Sequence, residues 1–526
     1  MKIPGHTAVG SKTLRRPHEG PWAWLAAASV ALSVLMLGAL IVLLSVKGLA
    51  NFWPSTLHEV ILDDGDTVIG VPFEQRTLPG GEGVERRYWI ANRDDGGGIW
   101  RWLSVPRLAS DQTPDDLVVL ERRHWGTFFG RLVAVRLEGE RLTGEAAWLA
   151  MEQRLKELDA LRQARQQLTR DDILPLIRRM EREPSSSETQ HRLDDRQLQA
   201  LQARAKELRR LQQGGVLVLE NSQGQRQEQP LEEVLDAWRP NAMAWYEKLG
   251  HWGGELWQFL SEGPRDANTA GGVWPAIFGT ILMVLLMSVL VTPFGVLAAV
   301  YLNEVAHQGR LTRLVRIGVR NLAGVPSIVY GVFGLGVFVY GIGGSIDRWF
   351  FDSSLPSPTF GTGGLLWASL TLALLTLPVV IVATEEGLSR IPLHQREGAL
   401  ALGATRFETL TRVVLPMAMP AMLTGLILAV ARAAGEVAPL MLVGVAKLAP
   451  QVPVDGEFPF LHLERKFMHL GYHIYDAAFH SSDVQAAMPL VYATALLLVV
   501  VILVLNLTAI FMRHYLRKRH GAPVRR

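Results

Sequence analysis

Two opposite charges stand inside a long apolar stretch of this sequence, in the segment ARAAGEVAPL (431–440). Arg432 and Glu436 are four residues apart, so a continuous helix would place both on one face. A charge at membrane depth costs about 2.5–3.5 kcal/mol on insertion scales, and such residues usually face a cavity or each other. A guanidinium binds oxyanions through its forked donors, and a nearby carboxylate would keep the anion from being held too tightly to leave. Two interpretations stay open: a candidate anion path, and an ion pair that holds helices together.

Four histidines are the next candidates for chemistry, and all lie in one loop between apolar stretches: His462, His469, His473 and His480. His469 and His473 are four residues apart and can share a helix face that binds zinc. Because no third ligand stands at a suitable spacing, we favour an amphipathic gate helix near the bilayer surface over a metal site. We accordingly expect no metal and no other cofactor.

The other patterns that we considered for metal binding and catalysis are missing from the sequence. Asp63, Asp64 and Asp66 lack the spacing of a calcium-binding hand, so we expect a hairpin turn there. The sequence contains no Gly-Lys pair, which excludes a Gly-x-x-x-x-Gly-Lys-Ser/Thr phosphate loop and ATP hydrolysis by that mechanism. With no cysteine, disulfides, Cys-ligated metals and thiol nucleophiles are excluded together. These signals predict a non-catalytic chain whose energy comes from another subunit.

The composition divides the chain into two unlike parts. Of its 526 residues, 49% are apolar and 20% are charged, and the mean hydropathy of +0.17 is high for a soluble protein. Residues 47–271 carry 30 Lys+Arg against 36 Asp+Glu, whereas the other 301 residues carry 23 against 14. A water-facing domain therefore interrupts an apolar, basic remainder. This excludes a single soluble globule, a disordered chain and a protein that binds nucleic acid through bulk positive charge.

Several stretches are long and apolar enough to cross a bilayer, which takes about 20 residues. The six that qualify are 22–46, 274–302, 322–342, 364–384, 418–445 and 488–512. The first is too long for the apolar part of a cleavable signal peptide, so we expect an uncleaved anchor. Glycines crowd the third stretch and predict close helix packing.

Basic residues predict the orientation of these stretches. Lysine and arginine cluster at both ends of the chain, between the second and third stretches, and between the fourth and fifth. Because basic residues favour the cytoplasmic side, both termini are expected in the cytoplasm. Residues 47–271 are then expected outside, which in a bacterial cell means the periplasm.

Residues 47–271 read as a mixed α/β domain. The segments HEVILDDGDTVIGVPF and RLVAVRLEGERLTG alternate apolar and polar residues around turns, and predict strand hairpins. Helical periodicity over 145–211, interrupted at Pro184, predicts a charged helical hairpin. A strand at Val216–Glu220 and a helix near 230–238 are expected to follow. Nothing here has catalytic spacing, so we favour a docking or structural module.

The loop between the fourth and fifth stretches carries the most informative pattern. It reads Arg396-Glu397-Gly398-Ala399, three residues, Gly403, nine residues, then Val413-Val414-Leu415-Pro416. This pattern predicts a helix, a bend that glycine permits, a second helix, and a proline where the chain returns to the membrane. Periodicity alone favours a partner-binding helix and a merely solvated connection about equally.

The same spacing resembles the EAA loop of ABC-transporter permeases: Glu-Ala-Ala, three residues, Gly, nine residues, Ile, one residue, Leu-Pro. The matching positions are Glu397, Ala399, Gly403, Leu415 and Pro416, with Gly398 in place of the middle Ala and Val413 in place of Ile. In that family the short helix of this loop sits in a cleft of the ATPase subunit. The resemblance therefore implies that the residues from Glu397 to Gly403 form the ATPase contact.

Further segments resemble the PstA family of phosphate permeases. They are GGVWPAIFGT (271–280), LAGVPSIVYGVFG (322–334), ATEEGLSRIP (383–392), ARAAGEVAPL (431–440) and FMHLGYHIYD (467–476). The resemblance covers 272–517 closely and the first stretch loosely, and the 47–271 insert is similar to the extended form found in some proteobacteria. One position departs from the family's Gly-Glu-Thr-Ala-Pro, because Val437 stands in place of Thr.

The resemblance implies both a role and a set of partners. The chain would form half of a heterodimeric pore that imports phosphate by alternating access, beside a PstC-like sister permease. Two copies of a PstB-like cytoplasmic ATPase would drive it, and a PstS-like periplasmic phosphate-binding protein would deliver the anion. Another cargo such as molybdate or sulfate is one alternative. A membrane-anchored phosphate sensor is another, although only 14 residues follow Met512.

We therefore expect a polytopic α-helical membrane protein with six transmembrane helices in an ABC type-1 permease core, and a mixed α/β extracytoplasmic domain containing a helical hairpin. The expected division is a basic cytoplasmic N-terminus (1–21), a first transmembrane helix (22–46), a periplasmic insertion (47–271), a permease core (272–512) with its coupling loop (385–417), and a basic cytoplasmic tail (513–526). The expected functional residues are the coupling-loop set Glu397, Gly398, Ala399, Gly403, Leu415 and Pro416, and the anion-path pair Arg432 and Glu436. The lipid bilayer is an expected partner and nucleic acid is not.

Overall fold

Six helices in the described part of the chain are long and apolar enough to cross a membrane. The computed structural model describes residues 21–78, 83–92, 98–182, 188–265, 270–352, 356–449, 452–456, 458–481 and 483–520. Spans one to six are Pro21–Ala50, Trp274–Val305, Ser327–Phe350, Leu365–Ser389, Arg406–Ala433 and Val484–Tyr515. The predicted number of spans is confirmed, although the bounds of the third and fifth differ from those expected.

The helices alternate between long spans and short connecting segments. In chain order they are α1 (Pro21–Ala50), α2 (Gly144–Gln167), α3 (Leu174–Arg182), α4 (Glu188–Gln212), α5 (Trp245–Ser261), α6 (Trp274–Val300), α7 (Arg310–Leu322), α8 (Ser327–Phe333), α9 (Gly344–Phe350), α10 (Leu365–Ser389), α11 (Leu393–Ala401), α12 (Arg406–Thr409), α13 (Leu415–Ala433), α14 (Ala438–Val443), α15 (Leu470–Phe479) and α16 (Val484–His520). Span four (α10) is the centre of the membrane part, because its side chains pack with those of spans two and five in one buried cluster.

Span three begins later than the sequence predicted. Its helix starts at Ser327, because Pro326 has no N–H and disfavours helix in the residue before it. An added Cβ at Gly331 would lie 2.7 Å from Pro439 Cα, and one at Gly334 would overlap Thr371 Oγ1. The predicted close packing is therefore confirmed at these two glycines.

The 47–271 domain is built on antiparallel sheets. Its strands are β1 (His58–Leu62), β2 (Thr67–Thr77), β3 (Val84–Trp89), β4 (Trp100–Ser104), β5 (Leu108–Gln112), β6 (Leu117–Arg122), β7 (Thr127–Leu137), β8 (Glu140–Thr143), β9 (Val216–Glu220), β10 (Arg226–Pro230), β11 (Val234–Trp238), β12 (Pro264–Arg265) and β13 (Ala270–Gly271). One sheet has the order β4-β3-β2-β1-β5 and the other β10-β9-β7-β6-β11, with β8 on β7; β12 and β13 form a short ribbon. Both predicted hairpins, β1–β2 and β7–β8, are confirmed.

The helical hairpin of this domain packs on the second sheet. Met151, Leu155 and Leu158 of α2 are buried against apolar residues of β6, β7 and β9, as their spacing predicted. The expected break at 184–187 lies outside the described residues. The helix expected near 230–238 is wrong, because a short 3-10 turn is followed there by β11, which pairs with β6. Pairing with a sheet edge overrides the helical composition of this segment.

Contacts from α5 and β4 join the 47–271 domain to the spans. Trp252 of α5 donates from Nε1 to the Leu49 carbonyl at the end of span one (2.9 Å). The Phe259 ring packs on Phe52 at 5.1 Å. Trp100 of β4 donates from Nε1 to Oδ2 of Asp483, just before span six (2.7 Å). The domain is thereby attached to the ends of two different spans.

Candidate translocation and coupling sites

Span five is broken where the charged pair of the sequence lies. α13 ends at Ala433 and α14 begins at Ala438, and Glu436 lies in the turn between them. Pro439 at the start of α14 has no N–H to continue the helical ladder. Pro416, Pro420 and Pro439 predict that span five is bordered or interrupted by broken backbone, and the break before Pro439 confirms this. The first helix of the expected stretch 418–445 therefore ends at Ala433, and the backbone is irregular inside the membrane part. Irregular backbone at that depth is tolerated where it is buried in protein or lines a cavity.

Arg432 and Glu436 meet across this break. Arg432 lies in the last turn of α13 and Glu436 lies beyond its end, so the two do not share a helix face as predicted. Arg432 Nε is 3.5 Å from Glu436 Oε1, longer than the roughly 2.7–2.9 Å of a charge-assisted hydrogen bond. The side chains are 35% and 21% exposed, and no second ion-pair partner of either is found in the described ranges. The guanidinium is thus loosely paired, with donors left for another anion.

Helix α15 packs directly against the break. A Cβ added at Gly471 would lie 2.6 Å from Val437 Cγ2, so the two segments are in close contact. The Leu470 N–H donates to Thr280 Oγ1 of span two (2.9 Å), and Nδ1 of His469 accepts the Gly471 N–H (3.1 Å) at the start of the helix. Val437, where the resemblance predicts Thr, makes an apolar packing contact instead.

The four loop histidines do not converge on one site. His462 bonds to Asp455 (2.9 Å) and Glu464 (3.2 Å), whereas His469 begins α15. Burial lowers the pKa of His469 and His473 to about 4, so both rings are neutral at physiological pH. A helix is confirmed at Leu470–Phe479, but its gating role stays a prediction.

The loop between spans four and five folds as its motif predicted. α11 ends at Ala401, Gly403 adopts φ +88°, and Thr405 caps α12 by accepting the Glu408 N–H (3.2 Å). Only glycine adopts such a φ without strain, which explains the residue at this bend. Leu415 and Pro416 then begin α13. The helix, bend, helix and proline follow in the expected order.

The surface of this loop is unusually apolar for an exposed segment. Leu402 is 92% exposed and Phe407 is 73% exposed, and Leu393 and Leu400 are also open to the surface. Glu397 and Gly398 are exposed on the same helix, while Ala399 is half-buried. Exposed apolar patches rimmed by polar groups usually mark a protein contact.

Two ion pairs that the sequence did not reveal connect this loop and α7 to the spans. Arg396 lies 2.9 Å from Glu304 at the end of span two, and it donates to the Leu388 carbonyl of span four (2.8 Å). Arg316 of α7 lies 2.6 Å from Glu385 of span four. The only feature of the sequence that pointed to either pair was Arg396, the basic residue directly before Glu397 of the motif. These four charged side chains connect the loop, α7, span two and span four.

Comparison with known proteins gives this architecture a family. Residues 291–521 match the model described as "Binding-protein-dependent transport system inner membrane component". The chain is 33% identical over 269 residues to the phosphate transport system permease protein PstA 1 of Mycobacterium tuberculosis, which covers 51% of this chain and 78% of that protein. It is 29% identical over 252 residues to the phosphate transport system permease protein PstA of Pasteurella multocida, covering 48% and 79% respectively. An inward-facing structure of the MetNI methionine ABC transporter aligns with 18% identity and a TM-score of 0.33, over 50% of this chain and 98% of that one.

The chain belongs to the family of binding-protein-dependent transport system inner membrane components, the permeases of ABC importers. Within that family it is PstA-like, as the resemblance of its motifs predicted. It is therefore a multi-pass inner-membrane transport component of a kind that works with an ATPase and a substrate-binding protein. The family match begins beyond the 47–271 domain, which is additional to the shared core.

Proposed function

We propose that this chain is the permease subunit of an ATP-driven importer that moves inorganic phosphate inward across the inner membrane by alternating access. The observation that carries this proposal is the loosely paired guanidinium of Arg432 at the break of span five. Relatives named as phosphate transport permeases support the choice of cargo. Both termini are cytoplasmic in this proposal and 47–271 is periplasmic, in line with the distribution of basic residues.

In this proposal Arg432 contacts the anion in transit and Glu436 limits how tightly the anion is held. Forked N–H donors match the geometry of phosphate oxygens. When the anion leaves, the carboxylate again neutralises the guanidinium, so no unpaired charge remains at membrane depth. Helix α15 covers the break on the side of the delivered substrate and acts as a gate.

The chain is proposed to work beside a PstC-like sister permease, with a PstS-like binding protein outside and two PstB-like ATPases inside. The exposed apolar residues around Leu402 and Phe407 supply the surface that docks into an ATPase cleft. Glu397, Gly398, Ala399 and Gly403 form the helix and bend of that contact. Leu415 and Pro416 connect the loop to span five.

Closure of the ATPases is proposed to move this loop as a rigid unit. The Arg396–Glu304 pair transmits the displacement to span two, and the Arg316–Glu385 pair links α7 to span four. Because the side chains of both pairs are half-buried, breaking either pair leaves an uncompensated charge with little access to water and weakens the link. Spans four and five then rock relative to span two and expose the Arg432 site to alternate sides.

Radiolabelled phosphate uptake tests this function in a strain that lacks the chain but retains its partner subunits. We expect wild type to restore uptake that sulfate and molybdate do not compete. Arg432→Gln should reduce uptake by about 10- to 100-fold, since a hydrogen bond to a charged group is worth about 1.5–3 kcal/mol. Glu436→Gln should lower both the KM and the maximal rate, because the anion is then released slowly.

Arg141→Gln is the matched control, because Arg141 is an exposed arginine of β8 that lies outside both the proposed anion path and the coupling loop. It should retain wild-type uptake and membrane level. If sulfate or molybdate competes fully, the cargo is wrong and the permease assignment stands. If wild type restores no uptake of any of these anions, the remaining alternative is a membrane-anchored sensor.

A further inference from the structure

The 47–271 domain brings together three side chains that can ligate a metal. Asp236 of β11 and His251 and Glu255 of α5 each offer one ligand atom, and these atoms lie within 4.8 Å of one another. No other group of three or more such residues is found at this spacing in the described ranges. The cluster is half-buried and lies far in sequence from the proposed anion path.

Strand β11 and helix α5 direct these three side chains toward one another. The pairing of β11 with β6 shifts register between Val234 and Asp236, and such a bulge redirects the side chain beside it. His251 and Glu255 are four residues apart on α5 and therefore share a face. The Trp238 ring packs on the His251 imidazole at 4.6 Å and restricts its orientation.

The two carboxylates of the cluster are not paired with a lysine or arginine in the described part of the chain. Asp236 accepts the Ala237 N–H (2.8 Å), and Glu255 lies 4.0 Å from His251 Nε2. Arg265 is paired instead with Glu121 (3.1 Å) and Glu262 (3.3 Å). Burial, with the charges of Glu121 and Asp236, raises the pKa of Glu255 to about 7. Burial also raises the pKa of Asp236.

We propose that Asp236, His251 and Glu255 bind a divalent transition-metal ion of the zinc type. One imidazole nitrogen with two carboxylate oxygens suits zinc, whereas calcium and magnesium prefer oxygen ligands alone. Tetrahedral zinc with bonds of about 2.0–2.1 Å needs ligand atoms about 3.4 Å apart, so the side chains close by about 1 Å on binding. Asp236 and His251 line a cavity of 1510 Å³, which supplies an entry path and water for a fourth position.

The ion would clamp the second sheet to α5. Because α5 packs on the end of span one and leads into span two, the clamp fixes the domain over the spans. Glu255 also lines a smaller cavity of 250 Å³, together with Asp483 before span six. The site therefore lies at the junction between the domain and the membrane part.

Zinc binding to the full-length chain tests this inference. The detergent-purified protein, without a histidine tag, is stripped with EDTA and titrated with zinc against a chromophoric chelator. We expect about one zinc per chain in wild type. Asp236→Asn, His251→Gln and Glu255→Gln should each weaken affinity by at least about 100-fold, since even losing a group behind a ligand weakens binding about 10- to 100-fold.

The matched control is His58→Gln, which removes a half-buried histidine of β1 that lines neither cavity and should bind zinc as wild type does. Zinc should also raise the unfolding temperature of wild type and of His58→Gln, but not of the three ligand variants. Equal zinc affinity in wild type and Glu255→Gln would overturn the site. A wild type that binds no zinc, or whose unfolding temperature zinc leaves unchanged, would overturn it without reference to any variant.

Discussion

The proposed coupling loop of residues 385–417 and the 47–271 domain present their candidate functional side chains in opposite ways. In the loop most candidate residues are exposed and lie close together in the sequence, between Glu397 and Phe407. In the domain they come from a strand and a helix, and Asp236 meets His251 and Glu255 in a half-buried cluster. A contact surface formed by one exposed segment can be recognised from the spacing of a few residues in the sequence. A site assembled from two elements depends on how the sheet and helix pack.

The largest effect is expected from a charge reversal in the loop, which is compared with the same reversal in the 47–271 domain. Glu397→Arg on the loop should reduce phosphate uptake by about 100-fold, because like charges facing each other at an interface cost several kcal/mol. Glu397 is exposed, so the amount of inserted chain should not change. Glu140→Arg on the exposed β7–β8 hairpin is the control and should leave uptake near wild type.

Uptake and membrane level are measured together for both variants. Normal uptake by Glu397→Arg would contradict the coupling role of the loop. A fall in uptake for Glu140→Arg of the same size would remove the contrast between the two regions, since the domain would then be as sensitive as the loop.

Features set by local sequence were predictable. The spans follow from uninterrupted apolar length, and the bend at Gly403 follows from the φ that glycine permits. The two strand hairpins follow from alternation around turn residues; Glu138 and Gly139 adopt φ +48° and +90° between β7 and β8.

Features that depend on distant partners were not predictable. The segment at 230–238 has helical composition but becomes β11, because β6 offers an edge to pair with. Pro439 predicted an interruption of span five, but not that the chain turns at Glu436, where span three and α15 pack against it. The Arg396–Glu304 pair joins residues 92 positions apart, which no local pattern reveals.

An intermediate effect is expected from loosening the domain where it meets span six. Trp100→Phe keeps the ring but removes the Nε1 donor to Asp483, a hydrogen bond to a charged group worth about 1.5–3 kcal/mol. Asp483 still accepts the N–H groups of Gln485 and Ala486 at the start of α16, so span six should remain formed. Faster amide exchange in β4, with a smaller loss of uptake than in Glu397→Arg, is the expected result.

Trp245→Phe is the control for this variant, because Trp245 is 74% exposed on α5 and has no part in the contact with span six. Its exchange in β4 should match wild type. If Trp100→Phe abolished uptake as fully as Glu397→Arg does, the domain would transmit motion rather than only hold its position.

The smallest effect is expected from alanine substitutions at two glycines of the loop, Gly403 and Gly398. Gly403 has φ +88° and open space around it, so Gly403→Ala meets no neighbour but strains the backbone by about 1–2 kcal/mol. Gly398 lies within α11, also with nothing within 4 Å, so Gly398→Ala should stabilise that helix by up to about 1 kcal/mol. We expect phosphate uptake coupled to ATP hydrolysis to fall several-fold in Gly403→Ala. In Gly398→Ala it should stay at the wild-type level or rise slightly. Equal behaviour of the two alanine variants would show that the bend at Gly403 contributes nothing to coupling, and that the exposed side chains of the loop carry the contact alone.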